Sequence, residues 1–212
     1  DTSVSGWQVL ALKTAGEAGI EIDEACLAKV KEFFKKCEMG RDGQTHYQCS
    51  GGLNTQATTG VGMLVHQFLL GQPDSPLVQE AAHFLAQYAE ATWGRANLAG
   101  RFAEAIRSRP TLPPVGTGGS DYYLWYNCSL AMFQAGGDCW ERWNKVVRDT
   151  ILGLQEQEGC ARGSWPPANS QWGDAGGRIY TTALAVLTLQ VYYRFDMEKE
   201  EPPKAETANP VE

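Results

Sequence analysis

The stretch from Gly176 to Phe195, GGRIYTTALAVLTLQVYYRF, limits what this chain of 212 residues can fold into more than any other. It has a continuous helical pattern from Ile179 to Tyr193 and no charge between Arg178 and Arg194. A helix that is apolar all round is usually buried on all sides. A membrane span needs about 20 apolar residues, which this stretch does not supply. The sequence therefore predicts an inner helix of an all-helical domain and no membrane span.

Two further stretches are almost free of charge, and amphipathic stretches alternate with them along the chain. Amphipathic helices place one face on a core and the other in water, so they belong to an outer layer. The sequence predicts seven main helices: Ser3–Ala15, Glu24–Cys37, Thr58–Leu70, Leu77–Thr92, Tyr122–Gln134, Cys139–Gln157 and Ile179–Tyr193. Ser3, Asp23, Asp121 and Asp138 stand where N-caps are expected. Residues 98–107 are expected to add one short helix.

The order of these elements repeats along the chain. An uncharged helix, a glycine, an amphipathic helix and a glycine-rich loop recur, which is typical of stacked helical hairpins. The two most similar copies share a Gly-Gly pair and then a Thr-Thr pair, at Gly51–Gly52 and Thr58–Thr59 and again at Gly176–Gly177 and Thr181–Thr182.

The repeat predicts an all-α fold, a two-layer α/α toroid or partial toroid of about seven helices in helical-hairpin repeats. A closed ring of such hairpins needs about twelve helices. We therefore expect an open arc that is completed by further repeats of a longer parent chain or by a protein partner. The repeat domain is predicted to cover residues 1–195, and the charged, proline-rich residues 196–212 are expected to form a disordered tail.

The segment ILGLQEQEGCARGSW, residues 151–165, resembles the QW repeat of squalene and terpenoid cyclases and of protein prenyltransferase β subunits. Ile151 and Gln155 match the first half of that motif, and Gly163 and Trp165 match the second half, with a spacer two residues longer than usual. In the other copy, Glu38 and Tyr47 replace the Gln and the Trp. The resemblance implies an α/α-toroid fold.

The catalytic motifs of that superfamily are not found in this sequence. No DxDD motif and no thioester motif occur, and Asp121 is explained as a helix cap. Leu124 and Thr181 fall where the resemblance would place a zinc-binding His, and neither side chain is a zinc ligand. His46, His66 and His83 are scattered along the chain. We expect no zinc and no other cofactor.

Aromatic residues and two carboxylates gather at the predicted starts of two inner helices, where they would form an apolar or carbohydrate-binding cleft. The alternative is that these aromatic rings pack between the two layers. The candidate cleft comprises Asp121, Tyr122, Tyr123, Trp125, Tyr126, Trp172, Asp174 and Tyr180. We expect Trp165 to be structural, with its ring buried and its N–H bound to a carbonyl or to a Gln. Gln155 and Gln157 are the expected polar neighbours.

The net charge of −7 argues against nucleic acid and anionic membranes as partners. Two cysteine pairs, Cys37–Cys49 and Cys139–Cys160, are compatible with disulfides or with free thiols, whereas Cys26 and Cys128 are expected to be thiols. Disulfides would indicate an extracytoplasmic location.

Three functions remain open from the sequence. The first is a non-catalytic module for protein interaction or assembly within a larger protein. The second is part of an enzyme that acts on terpenoid or prenyl substrates. The third is a carbohydrate-active α/α barrel, which would need a pair of carboxylates such as Asp121 and Asp174.

Overall fold

A computed structural model describes residues 1–38, 43–50, 55–94, 120–168 and 170–196. These residues form eight α-helices and no strand, which confirms the predicted all-α class. The helices are α1 (Thr2–Glu17), α2 (Glu24–Cys37), α3 (Gln56–Phe68), α4 (Pro76–Ala89), α5 (Tyr122–Ala135), α6 (Gly137–Leu154), α7 (Gly173–Leu189) and α8 (Val191–Asp196). A π-helical turn, Glu90–Gly94, follows α4. The predicted short helix at 98–107 and residues 197–212 lie outside the described part.

Most helices begin where a polar side chain can cap the free N–H groups of the first turn. Asp23 and Asp121 cap α2 and α5 as predicted. The cap of α1 is Asp1, not Ser3, and its carboxylate accepts from the N–H of Val4 at 2.9 Å. The predicted cap Asp138 is wrong, because α6 begins one residue earlier at Gly137 and Asp138 lies within its first turn.

The helices pack in two rows, as the alternation of uncharged and amphipathic stretches predicted. In the inner row α3 packs between α1 and α5, and α5 also packs against α7. In the outer row α4 packs against α6, and these helices lie behind α3 and α5. The α2 helix contacts α1 and α3. Closure of the rows into a toroid remains a prediction.

The inner helices run in the same direction, because residues near their starts meet one another. Gly6 in α1 lies against Val61 in α3, and a Cβ atom at Gly6 would lie 2.6 Å from the Cγ1 atom of Val61. Tyr123, at the start of α5, reaches back to α1, where its hydroxyl donates to the carbonyl of Ser3. Parallel inner helices are what a repeat of helical hairpins produces.

Two of the three helices predicted to lie inside do so. Residues Ala57–Gln67 of α3 are all buried, and so is most of α5. The prediction that Ile179–Tyr193 is buried on all sides is wrong. Ile179 is 86% exposed and Tyr193 is 77% exposed, although Leu184 and Ala185 are buried against the inner row. The physical reason is position: α7 ends the inner row among the described residues, so no helix covers its far side.

Aromatic packing holds the two rows together. Trp93 makes edge-to-face contacts with Trp125 of α5 and Trp143 of α6, with ring centroids 5.5 Å and 6.3 Å apart. All three rings are fully buried. The indole N–H of Trp143 donates to the hydroxyl of Ser129 at 2.9 Å, which ties α6 to α5.

One disulfide, Cys37–Cys49, joins the end of α2 to the loop that precedes α3. The other proposed pair is not formed, since Cys139 and Cys160 are free thiols. Cys26 and Cys128 are also free, as predicted. A cross-link that closes a loop of this size stabilises a fold by about 3 kcal/mol. Within the described part of the chain, no helix is both long enough and apolar enough to span a membrane, in line with the prediction.

The packing of α3 on α5 generates a prediction about Gly60. A Cβ atom at Gly60 would lie 2.7 Å from the Sγ atom and 3.0 Å from the Cα atom of Cys128. We expect Gly60→Ala to lower the free energy of unfolding by about 1–3 kcal/mol, because the two helices must separate to admit the methyl group. Urea denaturation followed by circular dichroism measures the change.

Gly16→Ala is the matched control, because Gly16 is also helical but exposed, with its nearest neighbour at 3.5 Å. It should be neutral or stabilising, since Ala is the better helix former. Equal effects of the two substitutions would show that α3 and α5 do not pack at this distance.

Candidate functional site

The predicted aromatic cleft is divided between two faces of α5. Tyr122 and Trp125 point into the core between the rows, where their rings meet edge to face at 5.1 Å and are fully buried. Tyr123 and Tyr126 lie on the side that faces α1. Trp7 of α1 stacks on Tyr126 there, with ring centroids 5.4 Å apart and an angle of 15° between the planes. Two of the eight predicted residues, Tyr122 and Trp125, therefore belong to the core between the rows.

Trp7 is a member of this cluster that sequence reasoning missed. Its ring also lies 6.2 Å from that of Tyr123, and its side chain remains 40% exposed. The signal was present: Trp7 lies in an uncharged part of α1, so α1 has the composition of an inner helix. An exposed indole beside two tyrosines gives an aromatic surface to the N-terminal ends of α1 and α5.

Asp121 lies at the start of α5 beside this cluster. Its carboxylate accepts from the N–H of Leu124 at 2.9 Å. Burial raises the pKa of Asp121 from 3.8 to about 6, although hydrogen bonds from the N–H groups of Leu124 and Tyr123 lower it. Desolvation disfavours the charged form, so the largest of these effects keeps a proton on this carboxyl at mildly acidic pH.

Tyr180 of α7 is the fourth aromatic residue near Asp121. Burial raises the pKa of Tyr180 and of Tyr123, and the charge of Asp121 raises both further. Asp121, Tyr123, Tyr126 and Tyr180 therefore all lie near the N-terminal ends of the inner helices. A carboxyl group that titrates near neutral pH among phenols could exchange a proton with a ligand.

The remaining two predicted residues lie on the surface at the start of α7. Trp172 is 54% exposed and precedes the first turn of the helix. Asp174 is in that first turn and is also exposed. No hydrogen bond or ring contact of the described residues joins either side chain to the cluster around Asp121.

The QW-like segment forms a set of structural contacts that we call the QW clip: Gln155, Gly163 and Trp165 with their partners. Trp165 is buried, as predicted, and its indole N–H donates to the carbonyl of Ile151 at 2.7 Å. Of the two predicted kinds of partner the N–H therefore has the carbonyl, and the prediction of Gln155 or Gln157 as its partner is wrong, because the last turn of α6 leaves carbonyls without helical partners. Gln155 instead donates to the carbonyl of Gly163 at 3.0 Å, which closes the loop.

The repeated threonines make the same contact in both copies. The hydroxyl of Thr181, near the start of the helical part of α7, donates to the carbonyl of Trp165 at 2.7 Å. The hydroxyl of Thr58, in the first turn of α3, donates to the carbonyl of Thr45 at 2.7 Å. The repeat noted in the sequence is thus a repeat of hydrogen bonds. The residue that corresponds to Trp165 by its accepting carbonyl is Thr45, whereas the sequence pattern had paired Trp165 with Tyr47.

Two histidines have partners that the spacing did not reveal. His66 of α3 bonds to the carboxylate of Glu38 with its Nε2 atom at 2.8 Å. The Nδ1 atom of His83 lies 3.3 Å from the Sγ atom of Cys139. Burial raises the pKa of the Cys139 thiol, which keeps its proton on sulfur. Among the described residues, no group of three or more His, Cys, Asp or Glu side chains could hold a metal ion.

One groove of about 390 Å³ lies between α1 and α2, away from the aromatic cluster. Its apolar floor is formed by Val30, Phe33 and Phe34, and Asp23 and Lys29 lie at its polar rim.

Comparisons with protein-family models, with curated proteins and with solved structures give no match to this chain.

Trp165 generates the first prediction for this region. We expect Trp165→Ala to lower the free energy of unfolding by about 3–5 kcal/mol, because it removes a buried ring. Trp165→Phe should cost less, since most of the ring volume remains. Thermal and urea denaturation measure both changes.

Trp172→Ala is the matched control: its ring is 54% exposed, so its loss should change stability by no more than about 0.5 kcal/mol. Equal losses at the two positions would contradict a structural role for the QW clip.

Asp121 generates a prediction about pH. Because its pKa is higher in the folded state, its contribution to stability is complete below about 3.8 and is lost as the pH rises through about 6. Asn also caps helices but carries no charge. We expect Asp121→Asn to be more stable than the parent at pH 7, and this advantage to shrink towards pH 4.

Urea denaturation at the two pH values measures this difference. The control is Asp23→Asn, at an exposed N-cap whose carboxylate stays in water. A constant difference between the Asp121→Asn variant and the parent across this pH range would mean that the carboxyl is not desolvated.

Proposed function

We propose that this chain is a non-catalytic helical-repeat module, similar to the repeats of squalene cyclases and prenyltransferases, that binds protein within a larger protein or assembly. The observation that carries the proposal is the exposed side of α7. Inner helices of such a module are covered by their neighbours, whereas the described residues cover α7 on one side only.

Five exposed residues line the outward side of α7 and α8, and we call this set the α7 row. Its members follow helical spacing: Ile179, Ala183, Val186, Gln190 and Tyr193. None of them is charged, and Ile179 and Tyr193 are more exposed than the other large apolar residues of the described chain. Contiguous exposed apolar surface is typical of sites that bind other proteins.

The hydrogen bonds of the QW clip also support a scaffold role. The ring of Trp165 fills the junction between α6 and α7, and Thr181 fixes the loop between them. These residues make their polar contacts within the chain. We infer that Trp165, which the sequence predicts to be structural, holds the consecutive helices α6 and α7 in register.

The disulfide between Cys37 and Cys49 favours an oxidising environment for the module. Disulfides persist outside the cytosol and are rare within it. We propose an extracytoplasmic location on this basis.

A second candidate function, an enzyme for prenyl or terpenoid substrates, is favoured by the cluster around Asp121. An acidic group with a pKa of about 6 beside Tyr123 and Tyr180 would suit proton transfer to an apolar substrate. Titration with farnesyl diphosphate, followed by tryptophan fluorescence, tests it. Saturable quenching in the parent that is weakened in Asp121→Asn would favour the enzyme over the module.

The interaction function is tested by photo-crosslinking in the cells that produce the protein. A benzoylphenylalanine at Ala183, in the middle of the α7 row, should give adducts with protein. The same group at Lys145, an exposed residue on the charged side of α6, should give none. Adducts at neither position, or equal adducts at both, would argue against a binding role for the α7 row.

A further inference from the structure

A free thiol and an imidazole meet between the two helices of the outer row. The Sγ atom of Cys139, on α6, lies 3.3 Å from the Nδ1 atom of His83, on α4. Cys139 is partly exposed, and His83 is exposed. The two residues are far apart in the sequence, and the packing of α4 against α6 brings them together. Their contact is therefore part of the outer row and separate from the aromatic cluster and the QW clip.

The charges around Cys139 keep its sulfur protonated at rest. Burial has the largest effect on the pKa of this thiol and raises it, whereas Arg142 lowers it and Asp138 raises it. The guanidinium of Arg142 bonds to the carboxylates of Glu90 and Asp138, so its charge is already balanced. Only the thiolate is a strong nucleophile. A reaction at this sulfur therefore needs a group that removes the proton.

His83 is placed to be that group. When Nε2 carries the ring proton, Nδ1 accepts the hydrogen bond from the thiol and can take its proton as the sulfur attacks. The sulfur also lies in the first turn of α6, whose N-cap makes no side-chain hydrogen bond. The partial positive charge of a helix N-terminus favours negative charge on a nearby sulfur. These two features assist the thiolate at the moment when it forms.

The other free thiols of the chain differ in this respect. Cys26 and Cys160 are more exposed than Cys139, but neither sulfur has a hydrogen bond to a histidine among the described residues. Cys128 is buried, and burial raises the pKa of its thiol. Exposure alone therefore ranks Cys139 below Cys26 and Cys160, whereas contact with a base ranks it above them.

We propose that Cys139 is a site of reversible S-thiolation, in which a small disulfide such as glutathione disulfide forms a mixed disulfide with it, and that His83 is the base. As the Sγ atom attacks one sulfur of the small disulfide, its proton passes to Nδ1 of His83. A bond forms between Sγ and that sulfur, and the S–S bond of the small disulfide breaks. The leaving thiolate then takes the proton from His83. Cys139 is thus oxidised, and the other half of the small disulfide is reduced to a thiol.

The structure favours a small disulfide as the reactant. Cys37 and Cys49 are already paired with each other, and Cys160 is free and not joined to Cys139. The disulfide between Cys37 and Cys49 favours an oxidising environment, in which disulfides persist. A group attached to Cys139 replaces the hydrogen bond to His83, so the modification acts on the junction of α4 and α6.

The test measures the reaction of all free cysteines in one sample. The folded parent is incubated with glutathione disulfide at neutral pH, the reaction is stopped with acid, and peptide mass spectrometry gives a rate for each cysteine. We expect Cys139 to react faster than Cys26 and Cys160, although both are more exposed. Cys128 should not react, because it is buried.

His83→Asn removes the base and keeps a polar side chain at the surface of α4. We expect the rate at Cys139 to fall by roughly tenfold or more, since a positioned base typically contributes at least this factor. The rates at Cys26 and Cys160 should not change. In His83→Ala, added imidazole should restore part of the rate at Cys139 alone. Gln87→Ala, an exposed change one turn farther along α4, is the control and should react like the parent.

Three results would overturn the proposal. If Cys139 reacts no faster than Cys26 and Cys160, its contact with His83 is only structural. An equal rate at Cys139 in the parent and in His83→Asn would show that the imidazole is not the base. Equal losses in His83→Asn and Gln87→Ala would mean that loosened packing of α4 on α6 causes the change. Circular dichroism should show that all variants are folded.

Discussion

The close contact between α3 and α5 is the constraint on which the rest of the structure depends. Gly60 allows the backbone of α5 to approach at Cys128, and Gln67 reaches the carbonyl of Ala131 farther along at 2.9 Å. These helices carry almost no charge, so each must be covered on every side. The remaining helices meet that need: α1 and α7 flank the pair within the inner row, and α4 and α6 lie behind it.

The loops that join the rows depend on backbone groups left over at helix ends. The last turn of a helix leaves carbonyls without partners, and a loop leaves many more. Trp165 uses the carbonyl of Ile151, and Thr181 uses the carbonyl of Trp165 itself. The side chain of Trp165 thus attaches the loop to the preceding helix α6, and the side chain of Thr181 attaches the following helix α7 to the same loop.

The sequence predicted the elements that have a strong local signal. The bounds of α2, Glu24 to Cys37, agree with the structure residue for residue, because a capping Asp, an amphipathic face and the following polar loop all indicate the same limits. The burial of Trp165 was also predictable, from a motif in which such a ring closes a helix pair. Its acceptor was not, since the sequence does not show which carbonyl lies within reach of an indole.

Neighbours in space account for the rest of the differences. Trp7 joins Tyr126 across a large sequence separation, and no local pattern links α1 to α5. Cys37 forms a disulfide with Cys49, which follows it closely in the sequence. Cys139 instead lies beside His83, which is on another helix, and does not pair with Cys160.

The error in the prediction for α7 has a different physical meaning from these missed contacts. Absence of charge shows that a helix surface is poorly suited to water, but it does not show which surface covers it. For α3 the cover is supplied within the chain, where Val61 and Val65 are buried. For α7 the same composition leaves Ile179 and Tyr193 in solvent. Exposed Leu or Ile residues that are scattered singly need no explanation, but a row at helical spacing on the end of a repeat does. The composition of α7 is therefore that of an inner helix, although its outward side is left in solvent by the described residues.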